Sequence, residues 1–159
     1  DFVPSRGLGD VYKRQLIGAP LFAETHARIG TRGRAMHCFH APTDPVQRMV
    51  NALSVSTYIR PHSHPGRPEV CIALTGAAAV ICFDAAGNVT ERRRIAPGSS
   101  LVGVEVPPGV CHTLVALSPM TTIYEVHQGP YDATTHKQLA AWAPAEGTPE
   151  GAAWLEAMR

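Results

Sequence analysis

"YIRPHSHPGRPEVCIALTG", residues 58–76, places His62 and His64 two positions apart, Glu69 five residues after the second histidine, and Gly76 seven after that. Side chains two apart on a strand share a face, so the two imidazoles can aim at one point. Pro65, Gly66 and Pro68 then supply a turn that lets Glu69 open the following strand. A fourth donor comes from "PPGVCHTLV", where the Pro107-Pro108-Gly109 turn leads into a strand carrying His112. Imidazole nitrogens with a carboxylate suit one divalent transition metal ion, and manganese, iron, nickel and zinc all accept such a set. One or two coordination positions would stay open to water or substrate. The competing reading is a polar strand face, but four donors at matched spacing favour a metal.

On either side of this stretch, short β-like runs recur at the spacing expected of a sandwich or barrel. They cover 34–40, 54–62, 69–83 broken at Gly76, 89–96, 100–106, 111–117 and 121–128. "PVQRMVNAL" (45–53) has apolar residues at Val46, Met49, Val50 and Leu53, a helical spacing, with Thr43 or Asp44 as N-cap. A second short helix is expected near the C-terminus, with Thr148 as N-cap and Pro149 at the first helical position.

The 159 residues are 45% hydrophobic and 17% charged, with 14 Gly and 14 Pro, which favours one turn-rich all-β domain. The first 15 residues, "DFVPSRGLGDVYKRQ", lack apolar periodicity and resemble a translated adapter or vector sequence, which leaves 16–159 as the domain. Those 15 hold three basic and two acidic side chains, so the remainder has equal numbers of each. A neutral balance gives no support to nucleic-acid or anionic-membrane binding, which needs a basic field, and the run Arg92–Arg94 reads as a solvated strand edge. No apolar run approaches the roughly 20 residues of a membrane span, and a cytoplasmic location is expected. Cys38, Cys71, Cys82 and Cys111 show no C-x-x-C pairing and are expected to stay reduced.

The spacing His62-x-His64-x4-Glu69-x6-Gly76, followed by Pro107-x-Gly109-x2-His112, resembles the two motifs of the cupin superfamily. Within that superfamily the chain resembles the WbuC family of cupin fold metalloproteins, through "DPVQRMVNAL", "TYIRPHSHP", "FDAAGNVTER", "CHTLVAL", "GPYDATTHK" and "WAPAEG". The resemblance implies a double-stranded β-helix, or jelly-roll barrel, with the metal in its mouth, and a homodimer. WbuC genes lie in O-antigen (lipopolysaccharide) clusters, which implies a sugar or sugar-nucleotide ligand. Three departures stand out. Ala116 replaces the Asn that often ends the second motif, Cys111 replaces an aromatic residue, and His127 replaces the lysine usual before "GP".

Other residues carry open readings. Arg34 and His40, on one face of an early strand, either bind an anionic or hydroxylated ligand or form a solvated face. Glu125 sits in the apolar run "TIYEV", where a buried carboxylate needs a partner. It is an acceptor behind the metal ligands, a general base, or one half of a pair with an arginine. Tyr131 and Lys137 either reach the ligand or anchor the tail. Cys71 shares the parity of Glu69 but reads more readily as core, and Trp142 and Trp154 read as packing. Three functions fit: a Lewis-acid sugar isomerase or epimerase, an iron-dependent dioxygenase, and a non-catalytic sugar-binding or regulatory cupin.

Overall fold

In the computed structural model, which describes residues 15–159, ten strands and two helices fold around two five-stranded antiparallel sheets. The first sheet runs β1 (Arg34–Cys38), β2 (Val46–Leu53), β9 (Thr121–Gln128), β4 (Glu69–Thr75) and β7 (Gly103–Val106). The second runs β10 (Gln138–Leu139), β3 (His62–Ser63), β8 (Cys111–Ala116), β5 (Ala78–Phe83) and β6 (Val89–Ile95). From β6 on, successive strands alternate between the sheets, the winding of a jelly roll. The tract assigned to an adapter lies outside the described residues except for Gln15.

Strand alternation assigns the core. Ala78, Val80, Leu114 and Ala116 point between the sheets, where Leu53, Cys71, Ile95 and Ile123 meet them. Ala79, Ile81, Phe83 and Val115 point the other way and are covered by α2 (Pro149–Ala157) through Trp154 and Leu155, with Trp142 and Tyr58 filling the same layer. The cap of α2 is as the sequence indicates: Gly151 N donates to Thr148 Oγ1 at 3.1 Å, and Pro149 occupies the first turn.

Two expectations are corrected. The helix expected over 45–53 is strand β2, held between β1 and β9 with Val50 opposite both His37 and Tyr124. Both faces of β2 are covered: Met49 and Leu53 face the barrel, while α1 (Ala19–Ala27) packs against β1 and β2. Apolar residues on both faces of a strand imitate a three-and-four spacing, and sheet pairing overrides it. The strand expected over 54–62 is a loop until His62. No helix among the described residues is long and apolar enough to cross a membrane.

Candidate metal centre

The mouth of the barrel draws its polar side chains from both sheets. His62 of β3 lies directly opposite His112 of β8, and Glu69, the first residue of β4, lies opposite His127 of β9. His64 follows β3 by one residue and completes the group. His62, His64, Glu69 and His112 are all buried, and one ligand atom from each lies within 4.8 Å of the others.

The backbone decides which nitrogen of each ring faces inward. Nδ1 of His62 donates to the Arg60 carbonyl at 2.9 Å, Nδ1 of His64 to the His136 carbonyl at 2.7 Å, and Nδ1 of His112 to the Val110 carbonyl at 3.0 Å. A carbonyl only accepts, so each Nδ1 carries a proton and Nε2 is the nitrogen left to face the site. That of His112 donates to Glu69 in the metal-free protein and would give up this proton to ligate a metal. Second partners of this kind orient metal-binding histidines generally. Two of the three Nε2 atoms meet Glu69 directly: its Oε2 lies 2.6 Å from His112 Nε2 and 3.3 Å from His64 Nε2. The buried Nε2 of His64 has no hydrogen-bond partner, as a nitrogen reserved for a metal would not. The donor set and its orientation fit a divalent ion.

Electrostatics support this division. Burial, with the charges of His112 and Lys137, lowers His62 to about 3, so its ring stays neutral. Burial alone would raise Glu69, yet the hydrogen bond from His112, the His127 and His64 rings beside it and the charge of His127 outweigh it and hold the carboxyl well below the usual range. For His112, burial is opposed by the Glu69 hydrogen bond and charge, and the net shift is upward.

Two residues at this site are absent from the candidates read in the sequence. His127 Nε2 stands 3.3 Å from Glu69 Oε1 and 3.7 Å from Glu125 Oε2. Burial pulls its pKa down, but the two carboxylates override that and raise it to about 10, so His127 is an imidazolium in the metal-free protein. The departure from lysine at this position therefore keeps a positive charge. His136 packs its ring 4.9 Å from His64 and 4.9 Å from Tyr131, and burial lowers it to about 4. Glu125 and His127 share strand parity, so the rule that pairs His62 with His64 also finds His127. His136 comes from a loop and carries no such signal.

The remaining candidates line one cavity of about 410 Å³ above the ligands. Arg34 reaches it, but its guanidinium is held by Glu146 at 2.8 Å. His40 lies beyond the end of β1, buried, with Nδ1 against the backbone of Arg48. Tyr131 stands at the rim, 46% exposed, and Lys137 lines the cavity beside His136. Glu125 pairs with His127 and with no arginine among the described residues. Cys71 is fully buried in the inter-sheet core below the cavity, and Cys111 is half-buried against the layer under α2.

Residues 21–95 match a family described as a domain of unknown function, DUF6016. Among curated proteins, none matches the chain. Solved structures share its fold. KdgF from a Halomonas species superposes with a TM-score of 0.51 at 20% identity, over 64% of this chain and 83% of its own. The capsular polysaccharide assembling protein CapF of Staphylococcus aureus gives 0.56 at 17%, over 70% of this chain and 33% of its own. An oxalate decarboxylase variant from B. subtilis gives 0.56 at 16%, over 74% and 31%. The chain thus spans about a third of the length of the last two. Fold and likeness together define a cupin-type jelly roll, and the site adds a buried cluster of three histidines and a glutamate that suits a metal ion.

Proposed function

We propose that the protein is a metal-dependent cupin enzyme that binds one divalent transition ion through His62, His64, Glu69 and His112 and converts a small oxygen-bearing molecule in the cavity above it. The observation that carries this reading is the anchoring of all three Nδ1 atoms to backbone carbonyls, which leaves the three Nε2 atoms as the ligand nitrogens of a cluster shared with Glu69. When bound, the ion supplies Lewis acidity that polarises a substrate carbonyl. Glu125, lining the same cavity, takes the proton from the carbon beside that carbonyl and returns it to a neighbouring carbon or the opposite face. His127, between Glu69 and Glu125, holds the charge on both carboxylates in place.

Isomerisation or epimerisation of a sugar or sugar nucleotide in surface-polysaccharide synthesis is the form of this chemistry supported by the resemblance to WbuC proteins and the likeness to a capsular polysaccharide assembling protein. A homodimer goes with that reading, and light scattering of the purified chain tests it. The test of the chemistry is exchange of substrate C–H for deuterium in D2O, followed by NMR across a panel of sugars and small hydroxy acids. Wild type should promote exchange, while Glu125→Gln should lose it by about 100-fold or more and retain its metal. Equal exchange in both proteins would remove Glu125 from the role. A second reading, an iron-dependent dioxygenase, is favoured by the apolar side chains on the cavity wall, and substrate-dependent oxygen uptake by the iron-loaded protein distinguishes it.

A further inference from the structure

The cavity is polar at its floor and mostly apolar along its wall, where Asn51 and, at the rim, Tyr131 add polar groups. Met36 of β1, Met49 and Leu53 of β2, Ile59 of the loop before β3 and Leu114 of β8 line it above the ligand cluster. Its volume of about 410 Å³ falls within the range of about 300–1,000 Å³ usual for small-molecule sites. Several polar groups on the wall are already committed to the protein. Arg34 is bonded to Glu146 and to the Tyr58 carbonyl, His40 to the Arg48 backbone, and Gln47 to the carbonyl of Asp44. A ligand covered in hydroxyls would bury most of them against thioether and aliphatic surface without partners, at a cost of roughly 1–3 kcal/mol each.

Lys137 is different. It lines the cavity from an exposed position, with no hydrogen bond or salt bridge among the described residues. It sits between His136, whose carbonyl holds His64, and β10, which pairs with β3, and so beside the ligand cluster. An uncommitted cation at the metal end, with an apolar wall leading away from it, complements a ligand with an anionic, chelating head and a hydrocarbon body.

We propose that the cavity takes a small 2-hydroxy or 2-oxo carboxylate with an apolar body, its head between the metal floor and Lys137 and its body against Met36, Met49, Leu53, Ile59 and Leu114. The proposal rests on the metal centre described above and narrows its substrate away from a fully hydroxylated sugar.

The test is calorimetric titration of zinc-loaded protein, its metal content measured on the same sample, with 3-phenyllactate, lactate and gluconate. The three share a 2-hydroxy acid head and differ only in body. Phenyllactate should bind at least about tenfold more tightly than lactate or gluconate. Met36→Gln, at a half-buried position on β1, should cut that preference several-fold at unchanged metal content. Lys137→Met should weaken phenyllactate and lactate alike by about tenfold. Metal-replete protein that binds gluconate as well as phenyllactate, or ignores the loss of Lys137, overturns the inference and leaves the metal centre standing. Protein that cannot be loaded with metal overturns both.

Discussion

His127 and Glu69 show how one side chain sets the charge of a whole site. Opposite each other across β4 and β9, they form an ion pair in which the carboxylate stays ionised and the imidazole stays protonated. Stability of the metal-free protein therefore depends on pH from two sides. His62, lowered to about 3, and His136, lowered to about 4, bind fewer protons folded than unfolded, so stability falls as pH drops from about 6.5 toward those values. Glu69, lowered by its partners, contributes stability above about 4.5 that is lost as pH falls through its folded value. His127, raised to about 10, acts in the opposite direction: its contribution is complete below about 6.5 and disappears as pH climbs toward 10. Thermal melts of chelator-treated protein should peak near neutrality, and His127→Gln should reduce the alkaline fall, to which the upward-shifted His112, Cys38 and Cys71 also contribute, while keeping the acid one. Parallel alkaline losses in both proteins would show that His127 does not hold its proton as described.

Among the elements, the β4–β5 corner is the most constrained. Gly76 adopts φ +65°, and a Cβ there would stand 2.9 Å from the Thr121 Cα and 2.8 Å from the Ser118 Oγ. Gly76→Ala combines backbone strain with a backbone clash, and should cost about 2 kcal/mol or more in urea denaturation. Wild-type stability in that variant would mean the corner relaxes freely. This glycine was legible in sequence because it interrupts an apolar run long enough for two strands. β2 was not. Its apolar residues fall on both faces because the barrel lies on one side and α1 on the other, and neither neighbour is visible in local spacing. The Thr148 cap was readable because it acts within one turn, between residues three apart.

For the whole molecule, legibility follows the range of the interaction. His62, His64, Glu69 and His112 could be grouped because strand parity and two turns fix their directions, and the structure brings them within 4.8 Å of one another. The pairing of Glu69 with His127 depends on the β4–β9 register, and the place of His136 depends on a loop packed over the mouth, so neither followed from local pattern. The commitment of Arg34 to Glu146 joins residues 112 positions apart and was equally hidden. Because both sheets contribute ligands, a bound ion ties them together. Loading the metal at about 100 times its dissociation constant should add about 2.7 kcal/mol of stability, seen as a higher melting temperature that chelator reverses. An unchanged melt would mean the ion does not bind the folded barrel.

The central claim is that three Nε2 atoms and one carboxylate form a metal site. Its most direct test is elemental analysis of protein purified without chelator, wild type beside His62→Ala and Glu69→Ala, with circular dichroism confirming that each variant is folded. The account predicts close to one divalent transition ion per chain in wild type and little in either folded variant. Wild-type protein that carries no metal and cannot be reloaded, or variants that retain it in full, would contradict the account.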